Sequence, residues 1–181
     1  SLTISSSATT SNQVSAGVIA DATAVVYNGS GTFILNGSNT YTGTTTVNAG
    51  VVAVTNTNGL GNPTAGTTVA SGATLDLRNV SSVPENITLN GGTLQTSTGT
   101  SSLSGNVTLA ANSTIDVTGT QLTVSGVISG TGYSFTKTSA GKLILTGTNT
   151  YAGGTMVNGG LVSFATDANL GAAGTGITLD G

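Results

Sequence analysis

The stretch Gly141–Gly171, GKLILTGTNTYAGGTMVNGGLVSFATDANLG, decides the fold because the chain contains a second copy of it. That copy is Gly31–Gly61, GTFILNGSNTYTGTTTVNAGVVAVTNTNGLG, and it lies at a constant offset (141 − 31 = 110) with no gap. Both copies contain Asn-Thr-Tyr, continue through Val-Asn-x-Gly and close on Leu-Gly. An internal repeat of this kind indicates a protein built from stacked units.

Strand signals recur along the whole chain as short pieces in which two apolar residues flank a polar one. The pieces return at two interleaved positions, each after about twenty residues, and helix-type periodicity is nearly absent. One series is Val69, Leu89 and Leu109, and the other is Leu77, Thr96 and Val117. Because a coil that returns to its starting place is one rung of a solenoid, we predict an all-β parallel β-helix whose rungs stack at about 4.8 Å. Its length of 181 residues predicts roughly nine rungs of about 20 residues.

Turn residues agree with this interpretation, although they leave an alternative open. Gly and Asn lie between the strand pieces, where left-handed backbone is needed. Asn-Gly pairs also favour hairpins, and therefore an antiparallel sandwich or barrel, but the regular return favours the solenoid. We expect a surface loop or frayed cap over residues 5–16, and longer loops leaving the rung at Asn62–Gly66 and Arg78–Glu85.

Composition excludes several classes of protein. Charged residues are only 5% of the chain, against about 25% in typical soluble proteins, and the net charge is −3. The Gly- and Ser-rich sequence is compatible with disorder, but the low charge and the recurrent Val, Ile and Thr argue against it. With no Cys and no His, we expect no disulfide, no metal and no cofactor. Three basic residues are too few to follow a phosphate backbone, so we expect no nucleic-acid partner.

Acidic residues are the main candidates for chemistry, because β-helical polysaccharide lyases and hydrolases use clustered carboxylates. Asp76 and Arg78 share one face of a strand, and Asp116 lies two rungs further on, at twice the twenty-residue return. Two rungs separate the carboxylates by about 10 Å, which is wide for an acid–base pair. We therefore interpret these residues as isolated solubilising charges and predict no catalytic residues. The acids predicted to lie in loops receive the same interpretation: Asp21, Glu85 and Asp180.

Repeated polar and aromatic residues receive structural interpretations. Tyr41 and Tyr151 are predicted to pack over a turn and to bond neighbouring backbone, and Asn39 and Asn149 to cap a turn. The run Thr42-Gly43-Thr44-Thr45-Thr46 resembles the Thr arrays of ice-binding solenoids, but the second copy has Ala152-Gly153-Gly154-Thr155-Met156 there and breaks the array. No tandem calcium-binding nonapeptide or dinucleotide-binding motif is present in the sequence.

The residues around the second copy resemble a known family. Val127-Ile128-Ser129-Gly130-Thr131-Gly132, followed by Phe135–Tyr151 and Gly153-Gly154-Thr155, is similar to the passenger-associated transport repeat, the autotransporter-associated β-strand repeat of bacterial autotransporters. The copy at 31–61 matches as well, with Thr44 in place of the second Gly. The resemblance implies a right-handed, single-stranded β-helix that is exported through a C-terminal outer-membrane barrel.

Together, these observations predict one β-helical segment over residues 1–181, cut from a longer exported protein, since the chain opens without Met or a signal peptide. We expect it at the bacterial cell surface or outside the cell, as a rigid, non-enzymatic stalk that assists its own secretion. The partner implied by the resemblance is the translocation barrel of the parent chain. Alternatives are an adhesin or self-associating fibre module that binds other copies or surface glycans, and a polysaccharide-cleaving β-helix.

Overall fold

The protein, described by a computed structural model over residues 1–5, 12–15, 17–21 and 24–180, winds as a coil whose strands form three sheets. Sheet A contains β1 (Leu2–Ile4), β3 (Val25–Tyr27), β5 (Thr45–Val47), β7 (Thr67–Ala70), β9 (Ile87–Asn90), β12 (Val107–Leu109) and β15 (Ile128–Ser129). Sheet B contains β2 (Asn12–Ser15), β4 (Thr32–Leu35), β6 (Val51–Val54), β8 (Thr74–Leu77), β10 (Thr93–Thr96), β13 (Ser113–Val117), β16 (Phe135–Thr138), β18 (Thr155–Val157) and β20 (Ile177–Leu179). Sheet C contains β11 (Thr100–Leu103), β14 (Gln121–Val124), β17 (Lys142–Leu145) and β19 (Leu161–Ser163). A short 3-10 helix spans Asp167–Leu170.

Among the described residues, all pairs of strands in the three sheets are parallel, which confirms the predicted parallel β-solenoid. An isolated antiparallel bridge joins Ala70 to Gly91. Leu89 lies in register with Val69 on one side and with Leu109 on the other, as the spacing predicts. The nine strands of sheet B are separated by 9 − 1 = 8 full turns, close to the roughly nine rungs predicted. The right-handed sense of the coil stays a prediction.

The core is a set of stacks in which each inward side chain rests on its equivalent one rung earlier. On sheet B, for example, Val52 is in register with Leu75, Leu75 with Leu94 and Leu94 with Ile115, and all four are buried. Side chains of successive residues alternate between the core and the outer surface because the strands are pleated. The same stack continues through Lys137 to Val157. Since the chain has no disulfide, burial of the apolar residues in these stacks holds the rungs together.

Sheet C is a feature that the sequence analysis missed, since that analysis expected two strand positions per rung and the middle rungs have three. Its first strand, β11, has the sequence TSSL, in which Leu103 is the one large apolar residue. Ser101 occupies the other inward position and is buried because its hydroxyl donates to the carbonyl of Leu77, at 2.9 Å. A polar residue satisfied in this way carries no hydrophobic signal.

Two loop predictions were wrong in part. Asn12–Ser15, inside the loop or cap expected over residues 5–16, is a strand paired with β4; residues 6–11 and 16 lie outside the described part of the chain. Arg78–Glu85 was expected to leave the rung, yet Val80 and Val83 are buried in the core. Val83 also forms a parallel bridge with Leu103 in sheet C, so this segment closes its rung although it contains no regular strand.

The two repeat copies occupy different faces of the solenoid. In the first copy the strands β4, β5 and β6 lie in sheets B, A and B; in the second, the equivalent strands β17, β18 and β19 lie in sheets C, B and C. The offset of 110 residues therefore corresponds to several whole turns of the coil plus the step from one face to the next. Single turns vary in length, since Thr32 pairs with Val51 (51 − 32 = 19) and Val51 with Thr74 (74 − 51 = 23). The same repeat sequence thus fits two of the three faces.

Candidate functional site

The repeated Asn of each copy joins three successive rungs. Asn39 accepts a hydrogen bond at Oδ1 from the backbone N–H of Ile19 (2.8 Å) and donates from Nδ2 to the carbonyl of Gly59 (2.6 Å). Asn149 does the same with Ile128 (2.7 Å) and Asn169 (2.6 Å). Both side chains are buried. These residues were predicted to cap a turn, and the backbone groups that they bind lie about twenty residues away, on the rungs before and after.

The repeated Tyr and the closing Gly form a second structural feature that both copies share at the same corner of the rung. Tyr41 and Tyr151 are fully buried, and each hydroxyl bonds to the hydroxyl of the Thr four residues later, at 2.6 Å in both copies. Burial raises the pKa of Tyr41 to about 12, against the hydrogen bond from Thr45, which lowers it. The Tyr rings are therefore core residues, and the prediction of packing over a turn is confirmed, with a side-chain oxygen as partner where backbone was expected.

Leu-Gly at the end of each copy closes over that Tyr ring. Gly61 has φ +74, and a Cβ there would lie 2.7 Å from the carbonyl oxygen of Tyr41 and 2.9 Å from its ring. Gly171 has φ +102 and stands in the same relation to Tyr151. Both the backbone conformation and the close approach need a residue without a side chain, which explains why each copy ends on Gly.

The candidate carboxylates Asp76 and Asp116 do lie on one outward face of sheet B, on either side of Gln95 in register. Asp76 is fully buried, and it binds Arg78 through Nε (2.6 Å) and Ser97 through both its backbone N–H (2.9 Å) and its hydroxyl (2.7 Å). The interpretation of Asp76 as an isolated solubilising charge was therefore wrong. Its hydrogen bonds join two rungs, which is a structural role.

Asp116 is half-buried and is surrounded by donors. Burial by itself would raise the pKa of this carboxyl, but hydrogen bonds lower it to about 2. The donors are Ser139, Thr138 (2.6 Å), Gln95 (2.7 Å) and Thr118 (2.8 Å). A carboxylate held ionised and occupied by four donors is poorly suited to act as a general acid. Asp21 and Asp180 are exposed, as expected of solubilising charges, and so is Asp167.

Two buried charged side chains escaped the sequence analysis. Glu85, predicted to be an exposed loop charge, is buried on the rung-closing segment described above. Lys137 occupies an inward position of sheet B between Ile115 and Val157. Its ammonium donates to the carbonyls of Thr138 (2.6 Å), Ser139 (2.8 Å) and Gly159 (3.2 Å) at the corner of the rung. Burial lowers the pKa of the Lys137 amine, and the negative charge of Asp116 opposes this shift. The alternation of strand residues places Lys137 inward, whereas nothing in the local sequence marks Glu85.

Outward Thr side chains form a ladder along sheet A that the sequence analysis did not expect. Each is in register with the next, and the ladder continues in Ser129: its members are Thr46, Thr68, Thr88 and Thr108. The ladder runs through the rungs that link the two copies, which is why comparing only the copies missed it. A second outward ladder on sheet B consists of Thr74, Thr93, Thr114 and Thr136.

Within the described residues, no three His, Cys, Asp or Glu side chains are grouped so that they would hold a metal ion. In the same part of the chain, no helix is sufficiently long and apolar to span a bilayer.

Comparisons with known proteins agree with the geometry. Residues 25–54 and 135–163 match the family model of the Passenger-associated-transport-repeat. Over 134 residues, 72% of this chain, the sequence is 42% identical to the Adhesin BmaC autotransporter of Brucella suis biovar 1 (strain 1330). The chain spans only 4% of the length of that relative. No solved structure matches the chain.

A three-sided parallel β-solenoid with a repeated Asn and Tyr corner is the class of protein that the fold and the site define. Residues 25–54 and 135–163 of the chain are two passenger-associated transport repeats, which confirms the resemblance identified in its sequence.

Proposed function

We propose that this segment is a rigid stalk of an autotransporter passenger, located outside the cell or at the bacterial surface, and that it has no catalytic role. The observation that carries the proposal is the parallel ladder of nine strands in sheet B, whose buried inward residues are mostly apolar and stack from rung to rung. Each rung contacts its neighbours, so the coil is stiff along its axis and can grow from either end. The saturated carboxylates of Asp76 and Asp116 support the non-enzymatic part of the proposal.

In the parent protein, the proposed partner is an outer-membrane translocation barrel on the same chain. A rung that has formed outside the cell offers a strand edge on which the next rung pairs, so folding there opposes backward movement of the chain. The rung-spanning Asn39 and Asn149 make this step stronger, because each bonds the rung before it and the rung after it.

Surface yield of the full-length parent tests this function. We expect Asn39→Ala with Asn149→Ala to lower the amount of passenger at the cell surface, measured by antibody labelling of intact cells. Asn158→Ala, at an exposed Asn that follows β18, is the matched control and is expected to leave the yield unchanged. Unchanged yield in the double variant would contradict a role of the repeats in secretion.

Adhesion is a second candidate function, favoured by the Thr ladder on sheet A and by the name of the Brucella relative, an adhesin. The outward positions of this ladder, from Thr46 to Thr108, carry no charge, so the face presents a row of hydroxyl groups at the strand spacing of about 4.8 Å. Regularly spaced hydroxyl groups can donate to and accept from the hydroxyl groups of a surface glycan. We propose a glycan on a host or neighbouring cell as the ligand.

Binding of the purified segment to cells and to immobilised glycans tests adhesion. Thr68→Lys with Thr108→Lys disrupts the ladder on sheet A, whereas Thr93→Lys with Thr136→Lys makes the same chemical change on sheet B. We expect the first pair to abolish binding and the second to preserve it. Equal loss in both variants, or no binding by the parent segment, would argue against this face as an adhesive surface.

A further inference from the structure

Glu85 is a buried carboxyl that no proposed function uses. It is the one Glu of the chain, and its side chain is 2% exposed. Its Oε1 accepts a hydrogen bond from the hydroxyl of Thr67 at 2.8 Å, and its Oε2 has no hydrogen-bond partner. Buried polar atoms are almost always paired, and an ionised carboxylate that lacks partners in the interior is costly.

Among the residues that the structure describes, no positively charged group acts on Glu85. Thr67 on β7 is in register with Thr45 on β5, whose hydroxyl bonds that of Tyr41. The titratable group facing Glu85 is Tyr41, whose pKa is raised further by a negative charge on Glu85. Burial raises the pKa of Glu85 to about 7, and the hydrogen bond from Thr67 opposes this only in part. The neutral carboxylic acid is therefore the form that fits the closed rung.

Glu85 lies on the segment that closes its rung without a regular strand. The segment is held to the next rung by Val83, whose N–H donates to Ser102 (3.0 Å) and whose carbonyl accepts from Ser104 (2.8 Å). The backbone of Glu85 packs directly against Gly105, where any Cβ would collide with the carbonyl oxygen of Glu85. The segment has further hydrogen bonds, such as that from the N–H of Ser102 to the carbonyl of Val80 (2.8 Å), but a single isolated bridge, Val83 with Leu103, replaces the continuous ladder of a regular strand. Local opening of the rung would therefore begin here, while the strands on either side stay paired.

We propose that Glu85 is a proton-controlled latch: the protonated side chain holds residues 80–86 closed against Thr67, and loss of the proton opens this segment. Because the carboxyl keeps its ordinary pKa of 4.5 when the segment is open and has one of about 7 when it is closed, the closed form is fully stabilised below about pH 4.5. That stabilisation declines as the pH rises and is gone once the pH passes about 7.

The second repeat copy supplies an internal control. Tyr151 and Thr155 reproduce the hydroxyl pair of the first copy, and Thr155 is in register with Ile177 at the position equivalent to Thr67. The pair in the second copy therefore has the same geometry and no carboxyl partner. Its rungs are therefore expected to show no opening that depends on pH in this range.

Direct titration is the first experiment. Because the chain contains one Glu, selective 13C labelling of the Glu side-chain carboxyl gives a single NMR signal that needs no assignment. We expect a titration midpoint near pH 7 in the folded segment, and a higher midpoint in Thr67→Val, which removes the hydrogen bond to the ionised form. A midpoint near 4.5 in the folded protein would overturn the proposal.

Hydrogen exchange, corrected for the intrinsic effect of pH, is the second experiment and measures opening. Between pH 4.5 and pH 8, protection of the amides in residues 80–86 is expected to fall by about 100-fold, the order of magnitude that corresponds to these two pKa values over this pH range. Glu85→Gln is expected to remove this pH dependence, and the amides around Thr155 are expected to show none in either protein. Protection around Glu85 that is independent of pH in the unmodified segment, or equally dependent on pH in Glu85→Gln, refutes the latch even where the variant itself is less stable.

Discussion

A single side chain can contribute more to the stability of a solenoid than to that of an ordinary sheet when it forms hydrogen bonds with two other rungs at once. Asn149 does so because an amide carries both an acceptor and donors, which here face in opposite directions along the rod. Its partners are backbone groups of Ile128 and Asn169 on neighbouring rungs. Aspartate would keep the acceptor and lose the donor, so the repeat needs Asn at this position.

Removing this amide has a predictable cost. Asn149→Ala leaves the N–H of Ile128 and the carbonyl of Asn169 without their side-chain partner, and we expect a loss of about 2–4 kcal/mol in the free energy of unfolding. Urea unfolding followed by circular dichroism measures it. Asn158→Ala, on an exposed turn, is expected to change stability by less than about 0.5 kcal/mol. A loss in Asn149→Ala no larger than that in the control would contradict the rung-spanning role.

The closing Gly of the repeat yields a second prediction at this scale. Gly171 and Gly174 both have positive φ, +102 and +85, but a Cβ at Gly171 would lie 2.6 Å from the carbonyl oxygen of Tyr151, whereas one at Gly174 meets nothing within 4 Å. Gly174→Ala should therefore cost only the left-handed strain, about 1–2 kcal/mol. Gly171→Ala should lower the free energy of unfolding clearly more, and thermal unfolding of both variants measures the difference. Equal losses would show that the contact with Tyr151 is not what requires Gly at position 171.

Two substitutions of Lys137 distinguish the effect of its buried charge on stability from the effect of a cavity. Its methylene chain fills the stack between Ile115 and Val157, while its ammonium bonds carbonyls of residues that are only half-buried. Lys137→Met keeps the volume and removes the charge, so we expect stability within about 1 kcal/mol of the parent, or higher. Lys137→Ala opens a cavity and is expected to cost about 2–5 kcal/mol in urea unfolding. Equal losses in both variants would show that the ammonium–carbonyl bonds matter more than the packing.

At the scale of the element, the repeat encodes a corner with its two flanking strands and does not specify a face. Its copies lie one face apart, yet the Asn, Tyr and Gly contacts are reproduced to within a few tenths of an ångström. The contacts that matter are those to the rungs directly before and after. Any face with a suitable rung on each side therefore accepts the repeat.

Strands and register were predictable because an apolar pair at a fixed spacing is a local signal that repeats. Val69, Leu89 and Leu109 fall in register for that reason. Sheet C was missed where its inward residue is Ser101, and Glu85 was missed because its burial depends on Thr67 and Gly105, which belong to other rungs. Burial of a polar residue in a solenoid is decided by what the neighbouring turns place beside it, and a short window of sequence does not contain that information.

Exchangeable rungs imply that whole turns can be removed. Val107 is in register with Ile128, so deletion of Val107–Val127 removes one complete turn and joins Asn106 to Ile128 in the same register. We expect this variant to keep the β-sheet circular dichroism signal and cooperative unfolding. Deletion of Val107–Asp116 removes about half a turn and puts the turn that follows Val117 where a strand of sheet A belongs, so it should not fold. A folded half-turn variant, or an unfolded whole-turn variant, would contradict independent stacking.

Over the whole molecule, stability comes from the stacked core and very little from charge. The chain has three basic and six acidic residues, and in the described residues the one ion pair is that of Asp76 with Arg78. Long-range repulsion is therefore weak at any pH. The response of the fold to acid and base depends on individual carboxyls, and Asp116 and Glu85 are shifted in opposite directions.

These opposite shifts predict where the protein is most stable. The pKa of Asp116 is lowered in the folded state to about 2, so its contribution is present above its ordinary pKa of 3.8 and is lost as the pH falls through 2. The pKa of Glu85 is raised to about 7, so its contribution is present below 4.5 and is lost as the pH rises through 7. Between pH 2 and 7.5, thermal unfolding midpoints should therefore peak at about pH 4–4.5, more acidic than the pH 5–8 optimum common among proteins. Asp116→Asn should flatten only the acid side of this profile, and Glu85→Gln should flatten only the side toward neutral pH. If either variant keeps both slopes, other groups are responsible for the pH response.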